Sequence, residues 1–301
     1  MRGGFLLLGL GIITSTISVG QVKKQFSIDN TSNVERVQLN FGVNAGDCYL
    51  KASQTPDLIA VYGNKDHDSY SHSFNKEMNE GVCKVNLHLQ DDKSAGLGKS
   101  ISYRMFGDDN ARAENLWKVY LAEDKAFDLN LKYGIGTANI DFTNLKLEKV
   151  KINTGSADVF IKTDEYNTVA MDTFFLQVDM GSARVQNINK TKAQHVIAEV
   201  GFGDLLMDFS DQPMAATHIT GSVGAGNLMI ILPDTTTPVK VKISDSWLCK
   251  VKMLKDFRSI GSNTFVNSAY SEDAANILSF DLDVSMGKIM FKEAGSSSNH
   301  Y

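Results

Sequence analysis

The chain has 301 residues, with 30 lysines and arginines against 35 aspartates and glutamates, a net charge of −5 with histidine neutral. That mildly acidic balance gives the chain as a whole no electrostatic footprint for nucleic acid or an anionic membrane. Three cysteines are too few for a disulfide scaffold, and 24 glycines against 4 prolines suit a turn-rich all-β protein.

In chain order, Met1-Arg2 supplies a positive charge, Phe5 to Ile13 is apolar, and Ser18-Val19-Gly20 offers small residues before Gln21. Residues 1–20 therefore read as a secretory signal peptide cut near Gly20/Gln21. The apolar run falls short of the roughly 20 residues needed to span a bilayer, so the mature chain is expected to have no transmembrane segment. No cysteine lies near the cleavage site to carry a lipid. Residues 21–33 read as a linker, and the remainder, residues 34–294, as one domain long enough to bury a sizeable core.

Val37 to Asp47 opens that domain, with Asn44-Ala45-Gly46-Asp47-Cys48 as a first copy of a pattern repeated later. Leu58 to Tyr62 and Val82 to Leu89 read as strands, Gly63 to Glu80 and Asp91 to Ser100 as polar loops, and Trp117 to Leu121 as the strand entering the regular region. Cys48 and Cys83 fall in phase with inward apolar positions, which favours buried thiols over a disulfide.

From Leu129 the repeat is plain. Gly136-Thr137-Ala138-Asn139-Ile140 aligns with Gly155-Ser156-Ala157-Asp158-Val159, Gly181-Ser182-Ala183-Arg184-Val185, Gly201-Phe202-Gly203-Asp204-Leu205 and Gly224-Ala225-Gly226-Asn227-Leu228. Ser285-Met286-Gly287-Lys288-Ile289 fits with its first glycine replaced, and Ser244 to Leu248 is a degraded copy. The frame is glycine, any residue, alanine or glycine, polar, aliphatic. Apolar residues alternate with polar ones on both sides of it, so each unit is two short strands meeting at a tight corner. The first glycine permits the corner, and the small residue two positions on marks a close approach between units. Successive small positions 138, 157, 183, 203, 226 and 246 lie 19 to 26 residues apart. That is close to one coil of a small solenoid.

The expected fold is an all-β, single-domain parallel β-helix with irregular N-terminal coils and regular coils over about 127–292. It is right-handed by the bias of parallel crossovers. An antiparallel β-sandwich is the alternative, since its strands also alternate. Val239 to Val251 reads as a strand pair, Phe257 to Ala275 as an excursion, Ile277 to Phe291 as the coil that closes the stack, and 295–301 as a disordered tail. If the frame is in register, Asp158, Arg184 and Asp204 stack in one outer column about 4.8 Å apart.

Motifs for chemistry are weak. Gly96-Leu97-Gly98-Lys99-Ser100 resembles the end of a phosphate loop, but Lys93 stands where the first glycine is needed and no helix pattern follows. Gly221 to Gly226 has the glycine density of a dinucleotide fingerprint yet runs into a strand. Asp66, His67, Asp68 and His72 lack a second ligand pair with zinc spacing. No nucleophile elbow, zinc-protease helix or catalytic-cysteine signature occurs. No catalytic residue, metal ligand or cofactor is expected. A polysaccharide lyase or hydrolase using a carboxylate pair is the enzymatic alternative.

The signal peptide, Val37 to Asp47, the run from Phe127 to Ile161 and the closing Phe280 to Ile289 together resemble the toastrack group. These are LiaF-like and candidate-adhesin proteins of the bacterial envelope. The resemblance covers most of residues 34–292. It implies a parallel β-solenoid and a role in adhesion or envelope-stress regulation. The LiaF-like members often carry membrane helices, for which this sequence has no run of sufficient length. The expected function is thus a non-enzymatic structural or interaction module at the cell envelope, outside the cytoplasm, with an envelope protein or surface glycan as partner. The first expected outcome is that protein secreted from its host lacks residues 1–20, as read by N-terminal sequencing or intact mass. A mature chain that still begins at Met1 would make the segment an anchor.

Overall fold

The computed structural model describes residues 22–90, 115–244 and 247–295. The expected signal peptide, the loop at Asp91 to Ser100 with its glycines, and residues 296–301 of the tail lie outside the described residues. β1 (Lys23–Asp29) precedes the long β2 (Arg36–Ser53), then β3 (Asp57–Gly63), β4 (Ser71–Asn79), β5 (Val82–Gln90) and β6 (Leu116–Ala122). The middle of the chain forms β7 (Ala126–Asp141), β8 (Lys146–Lys162), β9 (Met171–Met180), β10 (Ala183–Gln186), β11 (Ala193–Asp208) and β12 (Thr217–Leu232). β13 (Val239–Ser244), β14 (Cys249–Lys252), β15 (Arg258–Gly261), β16 (Thr264–Val266) and β17 (Leu278–Glu293) complete it.

The strands of 16 to 18 residues carry one corner each, which divides them into a first and a second arm. In one coil the corner interrupts the strand, giving β9 and β10. Neighbouring coils pair in parallel through both arms, from β2 with β7 through β7 with β8 to β12 with β17. This is a parallel β-solenoid. An antiparallel sandwich is excluded by the same pairings. Inward residues of both arms, such as Val150, Ile152, Val159 and Ile161, join one continuous core along the stack. Alternation produces that core directly, because successive side chains on a strand point to opposite faces.

Stack order differs from chain order at both ends. β2 lies between the end coil made by β5 and β6 and the coil of β7. β17 lies between β12 and the end coil made by β13 and β14. Ile277 to Phe291 therefore does not close the stack, as the sequence suggests; it fills the last place but one, and β13 and β14 close it. Antiparallel strands then cover most of the ends. β4 pairs with β5, β3 with β6 and β1 with β3, while β16 pairs with β13 and β15 with β16. Two expectations change as a result. Residues 21–33 are not a linker, since β1 lies within them, and the polar stretch from Gly63 to Glu80 contains β4, whose nine residues are all exposed. An exposed strand has no buried face to impose an apolar alternation, which is why it reads as a loop.

The corner also corrects the repeat frame. Gly46 pairs with Gly136, Gly136 with Ala157, Gly203 with Gly226 and Gly226 with Gly287. Gly155 belongs instead beside Gly134, and Gly201 and Gly224 share that earlier column. Ala138 and Ala183 sit at the first inward position after the corner, opposite Val159. Three of the five aligned copies were thus two residues out of phase with Gly136 and Gly181. A slip of two residues preserves the inward and outward alternation, so hydrophobicity cannot detect it. In the true frame the corner residues 136, 157, 181, 203 and 226 are 21 to 24 residues apart. Of the degraded copy at Ser244 to Leu248, residues 245 and 246 lie outside the described residues, and the end-coil corner is Cys249, opposite Gly287.

Glycine is required in this column for two reasons. At Gly226 φ is +146°, and a Cβ there would fall on the carbonyl oxygen of Gly203 in the preceding coil. Gly226→Ala is expected to destabilise the fold by about 1–3 kcal/mol from backbone strain alone. Ser222→Ala, on the outer face of the same coil, should change stability by no more than about 0.5 kcal/mol. Denaturant unfolding of both variants checks this, and equal losses would show that the corner tolerates a side chain.

Candidate binding face

Once the corner fixes the register, every outward position becomes a column across the coils. The first column after the corner contains Asp47, Thr137, Asp158, Asp204, Asn227 and Lys288. Its fourth member is Ser182, not Arg184. Ser182 donates to the Asp158 carboxylate through its backbone N–H at 3.0 Å and its hydroxyl at 2.7 Å. Asn227 repeats the arrangement on Asp204, at 3.1 and 2.8 Å. Each aspartate accepts hydrogen bonds from the next coil, so the acidic residues stitch the stack. The expected column of Asp158, Arg184 and Asp204 is therefore corrected. Arg184 lies two residues further on, where it pairs with Phe160 and Leu206.

That second column reads Tyr49, Asn139, Phe160, Arg184, Leu206, Met229 and Met290. Tyr49 is 44% exposed and Phe160 42%. Arg184 is exposed, and among the described residues it has no ion pair. Two adjoining depressions of about 490 and 280 Å³ run along this face, and both are lined by Phe160 and Arg184. The third column brings Lys51, Asp141, Lys162 and Gln186 to the second depression. Lys162 pairs with Asp141 at 3.0 Å. Burial pushes the Asp141 carboxyl upward, but hydrogen bonds from Thr143 and Lys162 outweigh it and hold the pKa below its ordinary value.

Other groups that draw attention in the sequence are committed to structure. Cys48 and Cys83 are free, buried thiols, and burial pushes Cys48 up to about 12, far from the range of a reactive thiolate. Asp66 pairs with Lys23 at 2.9 Å, and the His72 ring packs on Phe26 at 5.1 Å. Among the described residues no three histidines, cysteines or carboxylates gather as metal ligands. No helix among them is long and apolar enough to cross a membrane.

Sequence reasoning missed the asparagines that tie the return segments. Buried Asn167 accepts from the Leu147 N–H and donates to the carbonyls of Leu147 and Thr191. Asn189 donates to Phe209 and Asp211, and Asn267 clamps Thr237 and Val239. Each sits in a turn-rich segment where asparagine is ordinary. Asn167 and Asn189 each lie 20 residues, about one coil, from a residue they tie, and that spacing was the available signal.

No curated protein matches the chain. A crystal structure of a candidate cell adhesion protein from Clostridium sporogenes aligns with 91% of this chain and 99% of its own, at 16% identity and a TM-score of 0.41. One of a candidate adhesin from Bacteroides fragilis aligns with 90% of this chain and 97% of its own, at 12% identity and a TM-score of 0.34. Residues 17–186 match the family profile described as the N-terminal domain of toast_rack, DUF2154, ending where β10 ends. The match spans more than half of the sequence, and the chain belongs to the toast_rack family.

Proposed function

We propose that this protein is a non-enzymatic, adhesin-like interaction module, exported to the bacterial cell envelope, that holds an extended glycan along its second-arm face. The observation that carries the reading is the column in which exposed Tyr49 and Phe160 flank Asn139 and lead to Arg184. Aromatic faces take apolar sugar surfaces, the amide takes hydroxyls, and the guanidinium offers a fork for a carboxylate. All four project from paired strands whose register is locked, so the site is held ready before a ligand arrives. An envelope-stress role belongs to the same proposal, through what this face binds.

The alternative of a polysaccharide-cleaving enzyme fits less well. Such an enzyme needs one carboxyl kept protonated near neutral pH and a second facing it. Asp158 and Asp204 are occupied by coil-to-coil hydrogen bonds, and Asp141 is held below its ordinary pKa. These carboxylates support binding rather than proton transfer.

Titration calorimetry with hexagalacturonate, and with chitohexaose as a neutral comparator, tests the reading. The acidic oligomer is expected to bind more tightly, and Phe160→Ala and Arg184→Ala should each weaken it at least tenfold, about 1.4 kcal/mol. Lys149→Ala, on the outer face of the first arm, should leave affinity within about twofold. Failure of both oligomers to bind, or an equal loss from Lys149→Ala, would sink the proposal.

A further inference from the structure

The charge of the whole chain conceals a local excess at one end of the stack. Val239 to Arg258 carries six basic residues against two acidic ones, in a chain whose net charge is −5. The described residues of this segment form β13, β14 and the first residue of β15, and β13 and β14 make the end coil. Lys250, Lys252, Lys255 and Arg258 are all exposed. Beside them stand four exposed apolar side chains. Trp247 is 92% exposed, Ile260 47%, Leu248 42% and Val251 39%.

Their exposure follows from position in the stack. Val251 pairs with Ile289, which is fully buried, so Val251 occupies a core column at the place where the core ends. Leu248 lies beside the corner, where its carbonyl accepts from the Gly287 N–H. Trp247 precedes it. A folded domain seldom leaves a tryptophan in water, and it does so here within a few residues of two exposed lysines.

We infer that this end of the solenoid is a docking surface for an anionic lipid bilayer, with Trp247 and Leu248 entering the headgroup boundary and the lysines meeting lipid phosphates. Charge and shape select that occupant. β14 has only four residues, Cys249-Lys250-Val251-Lys252, and lysine on a short edge strand opposes pairing with a further strand. A second copy joined end to end would set two basic ends against each other. A soluble polyanion would satisfy the lysines and leave the tryptophan wet. An anionic membrane surface satisfies both, in the manner of interfacial tryptophan beside basic residues.

The protein supplies its own probe, because it has two tryptophans and the other, Trp117, is only 4% exposed. Vesicles of phosphatidylcholine alone, or with phosphatidylglycerol at about three parts in ten, are mixed with full-length protein and with protein lacking residues 1–20. The second form removes the apolar N-terminal run from the comparison. With anionic vesicles the emission should shift to the blue and resist acrylamide, and binding should weaken as salt is raised. Co-sedimentation should fall at least tenfold for the double variant Trp247→Ala/Leu248→Ala, and at least tenfold for Lys250→Glu/Lys252→Glu. Retention of the buried Trp117 signal and of thermal unfolding shows that each variant folds; the first pair, being exposed, keeps the test open if the second does not. Absence of binding, equal binding to neutral vesicles, no loss in the tryptophan variant, or equal competition by soluble polyphosphate would each overturn the inference. The vesicles contain no glycan, so the second-arm reading stands or falls separately.

Discussion

The fold depends on how closely two backbones approach at the corner. Along the column of Gly46, Gly136, Gly181, Gly203, Gly226 and Gly287, φ lies between +117° and +146°, a region that side chains rarely enter. Glycines 203, 226 and 287 each leave room for the carbonyl oxygen of the preceding coil's glycine. The consequence reaches beyond packing. A one-residue slip between coils is resisted by hydrophobicity, because it would turn the core outward. A slip of two residues keeps the core inward and is resisted by the glycines, because it would drive a side chain onto a carbonyl. Register is therefore defined twice, by two different interactions. Ala157 takes the corner place in β8 without a positive φ, and in that coil Asp158 reaches across to Ser182.

A parallel stack has no intrinsic stop, so the ends need a separate solution. This chain leaves β2, lays down β3 and β4, builds the terminal coil of β5 and β6 antiparallel to them, and returns to β7. At the other end it leaves β12, builds the terminal coil and returns as β17. Both excursions place the long two-armed strand inside and the short, interrupted strands outside. The best paired strands are thus the ones surrounded by core, while the terminal coils, which cannot bury both sides, carry lysine and polar residues. β14 is the extreme case.

The repeat and the class of fold were legible because they rest on alternation and on glycine, which act locally. Trp117 to Leu121 and Val82 to Leu89 were readable as strands by the same alternation, and Leu58 to Tyr62 as a short continuous apolar run buried on both faces. The order of the coils was not legible. Nothing in Leu278 to Glu293 says that its neighbours are β12 and β13, since pairing depends on a path through space. β4 was missed because both its faces meet solvent. The phase of the columns failed for a sharper reason. Gly134-Ile135-Gly136-Thr137-Ala138 contains the repeat frame twice, two residues apart, and only carbonyl contact with Gly46 chooses between them. That choice moved Arg184 from an acidic column into an apolar one, and with it the candidate site.

The true column changes what the charges do. Had Arg184 stood between Asp158 and Asp204, the three would have neutralised one another as exposed pairs of small value. Instead the aspartates hold backbone and side-chain donors of the next coil, and the guanidinium is left among Phe160, Leu206 and the depressions beside them. Charge along the stack is divided in the same way, with Asp158 and Asp204 used inside the lattice of coils and a local basic excess on the β14 coil. Because the columns run along the stack axis, a surface held at that end would leave the axis standing away from it. Lys250 and Lys252 continue the first and second columns of the second arm past Lys288 and Met290, so the basic end and the second-arm face meet at the last coil, and the coils of Tyr49, Phe160 and Arg184 lie further along the axis, open to a polymer.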